Sequence, residues 1–148
     1  METPETVKQE IELIKQNSLV KCDVYFKKHR LSRDGAAFLI ATRNRALILA
    51  YAAYYSFDSF NELDLVKLRD EELMCGYIQL HGFLWGDAEE ELVNSDMIEA
   101  IRLLISAYVL SERGEVALLK KKNTELIAMY ESKWGFRSRE AKNRLIKM

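Results

Sequence analysis

The stretch RDGAAFLIATRNRALILAYAAYYS, residues 33–56, decides the fold class. It follows Ser32, a residue type whose hydroxyl accepts from the free N–H groups of a helix's first turn. Phe38, Leu39, Ile40, Leu47, Ile48, Leu49, Tyr51, Tyr54 and Tyr55 recur at helical spacing within it. From Ala46 onward the stretch is apolar on every side, the pattern of a helix surrounded by other helices. Arg43, Asn44 and Arg45 form a polar notch near its middle, and the Tyr51, Tyr54 and Tyr55 group reads as a core stripe. The twelve residues from Ala46 to Phe57 fall short of the roughly twenty that a membrane span requires.

Working outward, helical spacing continues in both directions. Thr3 and Pro4 form a helix start before Val7, Ile11 and Ile14, predicting a helix over 4–16. Val20, Cys22, Val24 and Phe26 alternate as in a strand, but no second alternating run exists to pair with them, so 19–29 reads as helix. Ser59 and Glu62 make a capping box before Leu63 and Val66. Leu73, Tyr77, Leu80 and Leu84 follow, with Gly76 and Gly82 marking either a close helix crossing or a break. Asp87 and Glu90 give a second cap pattern, and the acids Asp87, Glu89, Glu90 and Glu91 suit a helix start electrostatically. Ser95 is expected to cap a helix bearing Ile98, Ile101 and Ile105 that ends at Gly114. A segment from Val116 to Trp134 stops at Gly135, and Ser138 caps a last short helix. The chain has six Gly and a single Pro, which favours helices joined by short polar turns. The expectation is an all-α domain over 1–148, a compact bundle of about six to eight helices around a central apolar helix at 33–56. No solenoid-type period is read in it.

With 49% apolar and 30% charged residues the chain is globular in composition, not disordered. The polar, acidic start METPETVKQE is no secretory signal. Cys22 and Cys75 read as small apolar core residues, and the expected setting is cytoplasmic. The net charge of −1 conceals strong segregation: residues 21–45 carry +5, residues 46–99 carry −10 and residues 115–148 carry +5. Such blocks are either solvated faces that neutralise one another or a bipolar surface that attracts an oppositely charged partner.

The best local candidate is ELIAMYESKWGFRSREAKNRLIKM, residues 125–148, a degenerate pattern that a plain terminal helix hairpin with a basic solvent face would also produce. A helix, a turn at Gly135 and a Ser-capped helix resemble the helix-turn-helix of DNA-binding regulators, although Glu131 stands where such motifs place a small residue. The resemblance implies that Phe136, Ala141 and Leu145 pack the second helix on the first. Arg139, Lys142, Asn143 and Arg144 would then face phosphates or base edges, with Arg137 and Lys147 adding backbone contacts. Cys22, His29, Cys75 and His81 lack metal-ligand spacing, so no metal and no cofactor are expected. No glycine-rich phosphate loop, nucleophile elbow or Cys–His–Asn arrangement suggests catalysis; an enzyme site would have to draw on scattered groups such as Arg43, Arg45, His29 and His81. The expected function is therefore that of a small non-enzymatic interaction or regulatory protein. It would act through a helical surface with segregated charge, on a protein partner or a second copy of itself and not on a membrane. The alternative is a DNA-binding regulator that uses 125–148.

Overall fold

The computed structural model describes residues 4–147. Thr3, the expected first cap, lies outside them. The described residues form eleven helices and no strand: α1 (Pro4–Lys15), α2 (Leu19–Lys28), α3 (Arg33–Ala41), α4 (Arg45–Ala52), α5 (Ser59–Lys67), α6 (Glu71–His81), α7 (Gly86–Val93), α8 (Ile98–Ala107), α9 (Glu112–Lys121), α10 (Thr124–Lys133) and α11 (Arg139–Lys147). The all-α expectation holds, and 19–28 is helix despite its alternation.

The helix count and the central helix do not hold. The stretch 33–56 breaks into α3 and α4 because Arg43 adopts the left-handed conformation (φ 58°) and the Asn44 side chain accepts from Leu47 N–H to start a new helix. The missing period is also corrected. Helices α3, α5, α7, α9 and α11 begin at positions 33, 59, 86, 112 and 139, a nearly constant interval. Odd-numbered helices pack on their odd neighbours from α1 to α11, and even-numbered helices on their even neighbours from α2 to α10. The chain is a stack of helix pairs in two layers, in which each pair buries its apolar face mainly against the next. One continuous apolar cluster runs from Ile14 to Ala141 between the layers, and no helix sits at its centre.

Two connections alternate along the stack. Four of the odd-to-even turns place a left-handed residue before the next cap: Asn17–Ser18, Arg43–Asn44, Arg69–Asp70 and Lys122–Asn123. The even-to-odd loops end on caps whose oxygens accept at the third residue beyond: Ser32 from Gly35, Asp58 from Asn61, Ser111 from Gly114 and Ser138 from Ala141. Several expected caps move accordingly. Asp58, not Ser59, caps α5. Trp85 stands at the α7 cap with no side-chain bond, and Met97 holds that place for α8 while Ser95 bonds Leu92 O and Met97 N–H nearby. Gly76 lies inside an unbroken α6, with Leu49 packed 3.1 Å from where a Cβ would stand; Gly82 ends that helix in the left-handed conformation. The expected segment from Val116 to Trp134 is two helices.

The pairs are tied by buried glutamates. Glu10, Glu62, Glu89 and Glu115 are each 2% exposed or less, and each accepts from backbone N–H groups of the next even-to-odd loop. Glu10 takes the N–H and hydroxyl of Ser32, and Glu89 those of Ser111. Glu62 takes Trp85 N–H and the Tyr77 hydroxyl, while Glu115 takes Arg137 and Ser138 N–H and the Tyr130 hydroxyl. Those two tyrosines in turn accept from Phe57 and Leu110 N–H, so each relay joins two successive loops. Where the serine supplies the second bond, the residue three beyond it is glycine, because the carboxylate lies where a Cβ would be. At Gly114 that Cβ would stand 2.0 Å from Glu89 Oε1, and at Gly35 it would stand 2.3 Å from Glu10 Oε1. Gly114 therefore belongs to α9 instead of ending α8.

This geometry predicts that Gly114→Ala lowers the unfolding free energy by about 2 kcal/mol, the usual cost of overpacking a filled site. Gly86→Ala, where nothing lies within 4 Å, leaves it unchanged or slightly raised. Urea titration of the two variants beside the wild type checks both.

Candidate interaction surface

The two connections give the stack two unlike edges. At the even-to-odd loops a ring recurs at the end of each even helix or shortly beyond it: His29, Tyr55, His81, Tyr108 and Trp134. Two of them reach back one pair to carbonyls freed at the end of the preceding even helix. His81 Nε2 lies 2.8 Å from Ala52 O, and Trp134 Nε1 donates to Ile105 O at 2.6 Å. Phe83 adds a ring between them, edge-on to Trp85 at 5.4 Å and tilted against Tyr108 at 5.5 Å. Trp85 is 49% exposed and Tyr108 40%, so this trio is an apolar patch open to solvent. At the other edge, three of the four left-handed turn residues are the cations Arg43, Arg69 and Lys122.

Across the odd layer, Asp87 and Glu90 of α7 bind the Arg113 guanidinium of α9 (2.9 and 2.7 Å). Arg69 pairs with Glu91, Arg33 with Asp58, and Arg45 with Asp70 and Glu72. Much of the acidic middle is thus matched, pair to pair, by bases of adjacent helices. The Arg45 guanidinium holds the Asp70 carboxyl below the usual carboxylate range. These contacts are exposed and screened by solvent, so they contribute little to stability.

Burial moves Glu62, Glu89 and the buried tyrosines away from their ordinary values. Burial pushes Glu62 up to about 7, against the opposing pull of the Trp85 N–H and the Tyr77 hydroxyl. Burial also raises Glu89, against the bonds from Ser111. Tyr77 and Tyr130 are raised by burial and by the carboxylates they bond, and burial lifts Tyr51 to about 12. A glutamate poised near neutrality beside a tyrosine is a familiar mark of acid–base chemistry. Here each Glu62 oxygen is already bonded within the chain, and both residues are buried. The arrangement ties loops together and presents no reacting atom to a substrate.

The six basic or polar residues predicted from 125–148 are all on or beside α11. Arg137, Arg139, Lys142, Asn143 and Lys147 are exposed, and Arg144 is half-buried against Glu140. Their helix packs on α9, with Ala141 buried, whereas α10 packs on α8 and α9. The segment is therefore the end of one helix pair and the first helix of the next, not two helices packed chiefly on each other. Phe136 does rest on α10, with its ring 4.9 Å from that of Tyr130.

Among the described residues no group of three or more His, Cys, Asp or Glu side chains is placed to hold a metal ion. Cys22 is buried and Cys75 half-buried, both as free thiols. Arg43, Arg45, His29 and His81 are not brought together in any one cleft. Among the described residues no helix is long and apolar enough to cross a membrane. Sequence reasoning missed the ring column, the Phe83–Trp85–Tyr108 trio and the buried glutamates; the regular recurrence of left-handed and cap residue pairs along the chain was the signal for all three.

Comparison with protein-family models, with curated proteins and with solved structures found no match for this chain.

A raised glutamate contributes stability below its ordinary value near 4.5 and loses it as pH rises through the folded value, about 7 for Glu62. Glu62→Gln has no proton to lose. Relative to this variant, the wild type is expected to lose about 2–3 kcal/mol between pH 4.5 and 8; urea titrations at both pH values measure the difference, and a constant difference would refute the buried charge.

Proposed function

We propose that the chain is a non-enzymatic interaction protein, a helix-pair stack that docks a protein partner on its aromatic loop edge. The observation that carries this reading is Trp85. At the equivalent position α3, α5, α9 and α11 have Ser32, Asp58, Ser111 and Ser138, each accepting a first-turn N–H. Trp85 makes no such bond and is half exposed against Phe83. A missing cap forfeits about 1 kcal/mol. An exposed aromatic trio is the composition that dominates binding energy at protein interfaces. Glu112, exposed at the start of the helix that follows the loop carrying Tyr108, has no base paired with it among the described residues, so a basic segment of the partner matches the surroundings.

Trp85→Ser separates docking from folding. It restores the cap, so the melting temperature is expected to rise, while affinity for the partner falls by tenfold or more. Quantitative affinity capture with wild type and W85S as baits, read together with thermal melts, makes the comparison. A partner set retained undiminished by a folded W85S would overturn the reading.

A second reading, nucleic-acid binding through Arg137, Arg139, Lys142, Asn143, Arg144 and Lys147, is supported by the exposure of these side chains around α11. It predicts DNA affinity that falls steeply with salt and is lost in an Arg139→Gln, Lys142→Gln double variant; gel-shift titrations at several salt concentrations test it.

A further inference from the structure

The end of the stack carries a second, chemically different cleft. It has a volume of about 540 Å³ and is lined by Leu119, Lys120, Lys122, Thr124, Arg144 and Lys147. Three elements build it: the end of α9, the α9–α10 turn and the last turn of α11. Four of its six lining residues are cations. Among the described residues only Arg144 of these four has a carboxylate partner, Glu140. Lysines at helix C-termini complement the helix dipole, which accounts for Lys120 and Lys147 as it does for Lys15 and Lys67 on other odd helices. It does not account for Lys122, which lies beyond the helix in a left-handed conformation (φ 59°) that asparagine or glycine adopts at lower cost. Asn17 fills the equivalent position of the first pair, and Arg43 and Arg69 fill those of the second and third, so what sets Lys122 apart is its place in a cleft with three other cations. Like-charged side chains gathered around one concavity repel each other unless an anion joins them.

We propose that this cleft binds a compact ligand carrying two or more phosphates. Lys120, Lys122, Arg144 and Lys147 neutralise its charge, the Thr124 hydroxyl donates to a phosphate oxygen, and Leu119 forms an apolar floor for the remainder. Two adjacent phosphates bring enough negative charge to offset the three lysines and to engage Arg144 beside its Glu140 partner, which a single carboxylate does not. The guanidinium of Arg144 offers the forked donors that suit phosphate oxygens. This site is separate from the aromatic edge, and neither proposal depends on the other.

Inorganic tripolyphosphate is the probe, titrated calorimetrically into the full chain at low and at physiological salt. Saturable one-to-one binding that weakens with salt is expected. Lys122→Asn and Arg144→Gln are each expected to weaken it by roughly tenfold. Lys122→Asn relieves a left-handed lysine, so its melting temperature should be equal or higher, and lost binding there cannot be blamed on unfolding. Arg43→Asn makes the same change in the same kind of turn away from the cleft and should leave binding intact. Absence of saturable binding at millimolar tripolyphosphate would overturn the proposal, as would equal losses in the Arg43 and Lys122 variants. A single-stranded oligonucleotide run in parallel distinguishes sources. Displacement of a weakly bound strand by tripolyphosphate supports a compact ligand, and a strand that binds where tripolyphosphate does not refutes it.

Discussion

A carboxylate buried almost completely must be met by donors, because its desolvation costs several kcal/mol if it is left alone. Glu10, Glu62, Glu89 and Glu115 meet this condition with N–H groups of the next even-to-odd loop along the chain. Those N–H groups are themselves at or just before a helix start, where no intrahelical carbonyl can take them. Two liabilities therefore cancel only at one register. If a pair slips, both a buried acceptor and a set of loop donors go unmatched. Apolar packing between the layers stabilises many nearby arrangements; the glutamates select one of them.

The same constraint explains why two chemical solutions alternate. Where an even helix supplies Tyr77 or Tyr130, the carboxylate turns to the phenol, and Ala88 and Ala141 fit at the third helical position. In the fourth pair Leu104 replaces the tyrosine; Glu89 turns to the Ser111 hydroxyl, and its carboxylate then requires Gly114. In the second pair Ala36 replaces the glutamate. There the tie passes to Arg33, which bonds Asp58 at 2.9 Å, and to Asn61, whose amide donates to Arg33 O. Residue identities change from pair to pair, and in the second pair the sense of the tie reverses as well, because Arg33 donates to the cap residue where the glutamates accept from the loop.

This is also why the class of fold was legible in the sequence and its order was not. Helical spacing and turn residues identify α1 and α6 because these depend on local periodicity, whereas the alternation over 19–29 reads as helix only because no second strand exists to pair with it. The period of the stack is carried by roles, not by residues: the cap is Ser, Asp or Trp, the acceptor position holds Glu, Ala or Lys142, and the ring is His, Tyr or Trp. An altered turn through Ser95–Asp96–Met97 further blurs the register. Apolar residues on both sides of the notch hid the break at Arg43–Asn44, so α3 and α4 merged into one expected helix. The charge blocks fared better. In a stack, position along the chain becomes position along the axis, so the bases of 115–148 remain together around α9–α11. The acids of 46–99, in contrast, are largely met by arginines of adjacent helices.

A repeated architecture supplies its own controls for reading function. Each position recurs several times under nearly the same local constraints, so a residue that suits folding poorly can be judged against its equivalents in the same chain. Trp85 stands where four other residues cap a helix, and Lys122, whose turn position Arg43 and Arg69 also fill with cations, differs from them in sharing a cleft with three more. Neither departure improves packing: one ring is half exposed, and the lysine is exposed beside other cations. Most departures along the stack are repaired nearby, as Leu104 is by Ser111 and Ala36 by Arg33. These two have no such compensation within the chain. Locally unfavourable residues that persist without structural repair are the places where binding, not folding, accounts for the choice of side chain.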